Sequence, residues 1–134
     1  MPGVLRLPAR LHRELIGAAA ASPDEEVCGL LGGRDGRADE QLPVPNAVHR
    51  PDAFDMAPAE LIAAMRHLRE TGQELVAIYH SHPCSPPYPS ATDIAANQYP
   101  EVVHLIIGRE GGEWRVRAFW LDGEIEEVGI RITN

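Results

Sequence analysis

At 134 residues, 44% hydrophobic and 24% charged, the chain is long enough to bury a proper core, and one domain over residues 1–134 is expected. Its net charge of −8 argues against nucleic acid or an anionic membrane as the main partner, because both call for clustered positive charge. Residues 1–7 lack the basic flank and apolar run of a secretory signal and no stretch approaches a membrane span, so a soluble cytoplasmic protein is expected.

In chain order, residues 4–7 read as a strand, and Pro8 is suited to open a helix that carries Leu11, Leu15 and Ile16 on one face until Ser22-Pro23 ends it. Residues 25–33 follow as an apolar strand led by two glutamates. Asp35-Gly36 marks a turn, and residues 41–45 read as an edge strand because Pro43 and Pro45 cannot donate to a ladder. A polar, irregular loop spans 46–57. Pro58 then opens a second helix, with Leu61, Ile62, Met65 and Leu68 spaced as one buried stripe and Gly72 as its stop. Residues 75–79 are continuously apolar and read as a buried central strand whose far end is His80. A short helix is expected over 91–97. Residues 102–107, 114–121 and 124–132 read as three further strands, the last two preceded by turns at Gly111-Gly112 and Asp122-Gly123. Trp114, Val116, Ala118 and Trp120 alternate with Arg115 and Arg117 and form one buried face. Phe119 falls on the arginine face, which makes it a candidate for a partner contact or for a second packed layer. The sum is an α/β fold: a single-domain mixed β-sheet flanked by helices.

The chemistry concentrates at His80-Ser81-His82-Pro83 and Ser90-Ala91-Thr92-Asp93. In extended chain His80 and His82 share a face while Ser81 turns away. Pro83 keeps His82 extended, because the residue before a proline is driven out of helical geometry. Asp93, at the end of the loop over 84–89, is the candidate third ligand. Two imidazoles and a carboxylate leave one tetrahedral position of a Zn2+ ion open, the pattern of a catalytic rather than a structural site, with one ion per chain. Each half has a plainer reading alone: Ser90-x-x-Asp93 is close to a capping box, and a His-x-His pair is commonly incidental. Their conjunction at the end of a buried strand favours the metal. Cys84 as a fourth ligand would displace the catalytic water. Cys28 and Cys84 make no disulfide framework; Cys28 reads as a small buried hydrophobe. His12, His49, His67 and His104 read as surface or packing residues.

The run His-x-His-Pro, with seven residues between the second histidine and Ser-x-x-Asp, resembles the JAMM (MPN+) zinc metalloproteases in their compact prokaryotic form. The resemblance implies a deaminase-like JAMM/MPN sandwich, with His80, His82 and Asp93 as metal ligands. It also implies a catalytic glutamate just before a Cys-Gly step, which here is Glu26, three residues ahead of Gly29. Glu25 is its rival, and alternation in a strand would let only one of the two look into the site. The implied reaction is amide or isopeptide hydrolysis without a covalent intermediate, Glu26 moving the proton and Ser90 donating to the developing oxyanion.

The implied partner is a ubiquitin-like or sulfur-carrier protein with a Gly-Gly tail. Three scissile bonds stay open: a lysine isopeptide, the bond to a C-terminal cysteine, and a short peptide extension. There is no room for the long insertions with which eukaryotic relatives grip ubiquitin. Every basic residue is arginine, so any lysine carrying an isopeptide belongs to another protein. A silent MPN-type scaffold is the alternative reading. A nucleoside deaminase is not, because its Pro-Cys-x-x-Cys element is missing. The oligomeric state is left open, a homodimer included.

Overall fold

A computed structural model describes residues 3–134. Strand β1 (Val4–Pro8) leads directly into helix α1 (Ala9–Ala20), so Pro8 caps the helix instead of occupying its first turn. Strands β2 (Cys28–Arg34) and β3 (Arg37–Val44) form a hairpin around Asp35 and Gly36, both at positive φ (52° and 75°). Helix α2 (Pro58–Glu70) starts on its proline and stops before Gly72, whose φ of 68° a side chain would resist. Strand β4 (Glu74–Ser81), the short helix α3 (Ala91–Ala95) and strands β5 (Val103–Glu110), β6 (Glu113–Trp120) and β7 (Glu126–Thr133) complete the order.

The strands pair as β1-β3-β2-β4-β5-β6-β7, and β7 returns to β1 in a parallel ladder from Val4↔Gly129 to Pro8↔Thr133, closing the sheet into a barrel. The pairing is mixed, as expected: β4 lies antiparallel to β2 and parallel to β5. Closure is the part that local patterns do not announce, because it joins strands from the two ends of the chain. β3 touches β1 only at Arg6↔Arg37. Its proline-bearing stretch therefore has one strand neighbour, which is the physical content of the edge reading even though the strand begins earlier, at Arg37.

β4 is flanked by strands on both sides and buried on both faces. Ala77 and Tyr79 join Leu7, Leu11, Leu15, Leu105 and Trp120 in the cluster under α1. Ile78 joins Leu30, Met56, Ala64 and Leu68 in the cluster under α2. By alternation His80 follows Ile78 to the α2 side, so the two-sided core fixes the direction in which the imidazole points.

Two expectations are corrected here. Ile62 is 59% exposed; Leu68 is buried as expected, Leu61 and Met65 pack half-buried against the same cluster, and Ala64 takes the other buried place on α2. Phe119 is 1% exposed and packs with Ile106 and Leu121, its ring meeting Tyr88 edge-on at 5.4 Å, so the second packed layer is the correct reading. No helix among the described residues is long and apolar enough to cross a membrane.

Candidate metal centre

His80, the penultimate residue of β4, and His82, just past its end, project to the same side and are both buried. Their Nε2 atoms lie 3.2 Å apart. Asp93 completes the group, with Oδ1 3.1 Å from His80 Nε2 and Oδ2 3.0 Å from His82 Nε2. Two ring nitrogens and a carboxylate brought this close call for a cation among them. Tetrahedral zinc, with bonds of about 2.0–2.1 Å, sets its ligand atoms roughly 3.3 Å apart. The Nε2–Nε2 separation is close to that edge length and one carboxylate oxygen lies against each ring, so the donor set fits such an ion, and His80, His82 and Asp93 form a metal-binding group.

Each donor is held by a second contact. His82 Nδ1 donates to the Pro86 carbonyl at 2.8 Å, which leaves Nε2 as the free lone pair. That carbonyl is fixed because the loop lies flat on β5: a Cβ at Gly108 would sit 2.5 Å from Pro87 N and 2.7 Å from the Pro86 carbonyl carbon. The Phe54 ring stacks on His80 at 4.5 Å. Asp93 is set by a capping box on α3, in which the Ser90 N–H donates to Oδ2 (2.9 Å) and the Asp93 N–H donates to Ser90 Oγ (3.0 Å). The capping reading and the ligand reading of Ser90-x-x-Asp93 are therefore one arrangement. Burial pushes the Asp93 carboxyl up, but its contacts with the His80 and His82 rings and with the Ser90 N–H outweigh it and hold the group well below the usual carboxylate range.

Glu26 reaches the same region from the other side. It does not lie on a strand: β2 begins at Cys28. Its segment is pinned by the Glu26 N–H donating to the Arg50 carbonyl (2.7 Å) and by Ser81, whose Oγ accepts from the Val27 N–H at 2.8 Å and whose N–H donates to the Val27 carbonyl at 2.9 Å. The serine that turns away from the histidine face thus anchors the glutamate. Glu26 is 2% exposed and its Oε1 has no partner. Burial raises its pKa to about 8, Asp93 and Asp52 adding to the rise and His82 opposing it. Glu25 points outward and pairs with exposed His49 at 3.2 Å. Glu26 is thus the buried acid of the two and Glu25 the outward one, and long-range bonds rather than strand alternation set them apart.

The remaining residues fall outside the centre. Cys84 is exposed and Cys28 buried, both unpaired. His67 forms a surface pair with Glu40, and buried His104, its pKa lowered to about 4 by desolvation, lies nearby without a contact to the donor atoms. Sequence reasoning passed over Asn46. Its buried carboxamide uses all four of its capacities, Nδ2 donating to the Glu26 and Ala53 carbonyls (both 3.1 Å) and Oδ1 accepting from the Val48 and Asp55 N–H groups (3.1 and 3.0 Å). One side chain thereby ties the Glu26 segment to the loop that carries Phe54. Its one local sign is an asparagine opening a polar loop, where such side chains commonly organise backbone.

A family described as prokaryotic homologs of the JAB domain matches residues 8–122. A desampylase of Haloferax volcanii is 36% identical over 118 residues, covering 85% of this chain and 83% of that protein. A probable TtuB-protein conjugate cleaving protease of Thermus thermophilus is 35% identical over 128 residues, covering 95% and 82%. A CysO-cysteine peptidase of Mycobacterium tuberculosis is 26% identical over 135 residues, covering 98% and 92%. The solution structure of protein DSY2949 from Desulfitobacterium hafniense superposes with a TM-score of 0.87 at 30% identity, covering 97% of this chain and 93% of that one. With the His-His-Asp group in place and the match running from the end of β1 past β6, the chain belongs to the prokaryotic homologues of the JAB domain.

Proposed function

We propose that this chain is a zinc-dependent peptidase that hydrolyses the amide or isopeptide bond following the C-terminal Gly-Gly tail of a ubiquitin-like or sulfur-carrier protein. The observation that carries the reading is a preassembled donor set of His80, His82 and Asp93 with a buried, unpartnered carboxyl, Glu26, close enough for the charges of His82 and Asp93 to shift its titration. The names of the Haloferax, Thermus and Mycobacterium relatives support the substrate class.

His80, His82 and Asp93 would hold the metal. When bound, zinc supplies Lewis-acid polarisation of a carbonyl and an acidified water with a pKa near 7. Glu26 takes the proton from the attacking water and hands it to the departing amine. A carboxyl lifted toward neutrality by burial suits this double duty, since a proton carrier works best near the operating pH. The Ser90 hydroxyl accepts from the Asp93 N–H, so its own proton remains free to donate to the oxyanion. In balance, the water oxygen joins the glycine carbonyl carbon, the C–N bond breaks, and a proton ends on the amine nitrogen.

The test is a carrier protein joined through Gly-Gly to a second group, incubated with zinc-loaded enzyme and followed by intact mass. Release of the carrier with a free Gly-Gly carboxylate is expected, and Glu26→Gln should keep one zinc per chain while losing at least about 100-fold in rate. Undiminished turnover by that variant would remove Glu26 from the reaction.

A further inference from the structure

The loop over 84–89 supplies the carbonyl that aims His82, and its sequence leaves it few backbone donors with which to hold itself. Pro86, Pro87 and Pro89 have no N–H, so Tyr88 is the single backbone donor between Ser85 and Ser90. Its N–H goes to the Pro86 carbonyl at 2.8 Å, the same oxygen that accepts from His82 Nδ1 at 2.8 Å. That bond spans two residues and is centred on Pro87, whose ring holds φ near the value such a turn needs. Two donors thus converge on one oxygen, and one of them belongs to a residue outside the metal-binding group.

The Tyr88 side chain is what keeps that N–H in place. Although the residue is 48% exposed, its ring is held by two partners. It meets buried Phe119 edge-on at 5.4 Å, and the Arg117 guanidinium lies over it at 5.7 Å and over Phe119 at 5.3 Å. Arg117 is in turn fixed by both Glu127 carboxylate oxygens, at 2.7 and 2.8 Å. We propose that Tyr88 is a positioning residue for the metal ligand His82: with its ring clamped by Arg117 and Phe119, its backbone keeps the Pro86 carbonyl on Nδ1, so that Nε2 faces Asp93. Strands β6 and β7, which supply no ligand, thereby help to build the centre. The inference rests on the metal-binding group and is independent of the Gly-Gly substrate.

Two measurements read the aim of His82 without any substrate: zinc affinity by chelator competition, and the visible d–d bands of the cobalt-loaded protein, which follow ligand geometry. Tyr88→Ala removes the ring and keeps the N–H. Zinc affinity should fall about 10-fold, the lower end of what a partner behind a metal ligand is worth, and the cobalt bands should shift. Tyr88→Phe keeps the ring and should hold affinity within about 2-fold, with the wild-type bands. Arg117→Gln should weaken zinc about 3-fold, and combining it with Tyr88→Ala should add nothing further, because both act through one ring. A drop in thermal stability with affinity and bands unchanged would reduce Tyr88 to surface packing and overturn the proposal. So would a loss in Tyr88→Phe as large as that in Tyr88→Ala. If Tyr88→Ala does not fold, unchanged affinity and bands in Arg117→Gln overturn it in the same way. A wild-type protein that takes up neither zinc nor cobalt would overturn the metal centre along with it.

Discussion

His80, His82 and Asp93 meet within a stretch of fourteen residues, whereas Glu26 arrives beside them through a serine hydroxyl contact that spans 54 positions, Val27 to Ser81. On the ligand side the forces are short-range: strand alternation aims His80 and His82, a proline-rich loop returns to accept from His82, and a capping box sets Asp93. On the glutamate side a local bond, Ser22 Oγ donating to the Glu25 carbonyl at 3.0 Å, stops one residue short of Glu26. The backbone there is irregular, and Asn46, Arg50 and Ser81 from two other parts of the chain pin it. The two halves should therefore fail separately, metal binding with one and proton transfer with the other.

The largest effect is expected from Asp93→Asn. The amide oxygen can still accept from the Ser90 N–H, so α3 keeps its cap, but the centre loses its one anionic ligand and the charge that balances two imidazoles. Metal affinity should fall by more than the 10–100-fold typical of outer-shell partners, and activity should fall to background, with thermal unfolding little changed. A competition titration against a chelator reads the first quantity and calorimetry the second. Retention of tight zinc binding would show that two imidazoles suffice and that Asp93 serves the helix alone.

Asn46→Ala is the matching cut on the other side. It strips hydrogen bonds from two carbonyls and two N–H groups at or near a buried position, at a cost of about 1–3 kcal/mol for a group left unsatisfied. We expect kcat to fall about 10–100-fold through misplacement of Glu26, while the chelator titration moves by less than about 3-fold. A loss of zinc as large as the loss of kcat would erase the distinction between the halves.

What could be read ahead of the fold follows the same division. The ligand triad was legible because alternation, proline restriction and capping all act over a few residues, so spacing encodes geometry. Most strands and both longer helices were legible for the same reason, from apolar runs, turn residues and prolines. Barrel closure was not, since it depends on β1 and β7 meeting from opposite ends of the chain. Phe119 misled because alternation describes a strand covered on one face, and the loop carrying Tyr88 covers the other. Glu26 came from family resemblance; the strand argument held only that one of the two acids could face the centre, and neither lies on the strand. Asn46 stayed hidden because its four partners lie at sequence distances from 2 to 20 residues, and no single spacing betrays that combination.

The smallest expected effect is also the one that separates stability from function on the glutamate side. Burial raises the Glu26 pKa from 4.5 to about 8, so the folded metal-free protein holds a proton that the unfolded chain has already released. Between those two values the native state binds more protons than the unfolded state, and linkage then requires stability to decrease as pH rises. The loss begins near pH 4.5, is complete near pH 8, and amounts to a few kcal/mol at most. Glutamine cannot ionise and escapes it. Metal-free Glu26→Gln should therefore match the wild type at pH 4.5, become progressively more stable by comparison toward pH 8, and hold a constant advantage above that. Urea unfolding at fixed ionic strength across this range measures the difference. A gap that does not widen with pH would mean that the buried carboxyl is already ionised in the apo protein, and with it would go the view that Glu26 is held near neutrality for proton transfer. Zinc should shrink the gap, because positive charge on the three ligands favours the carboxylate, and the same measurement with metal bound would show by how much.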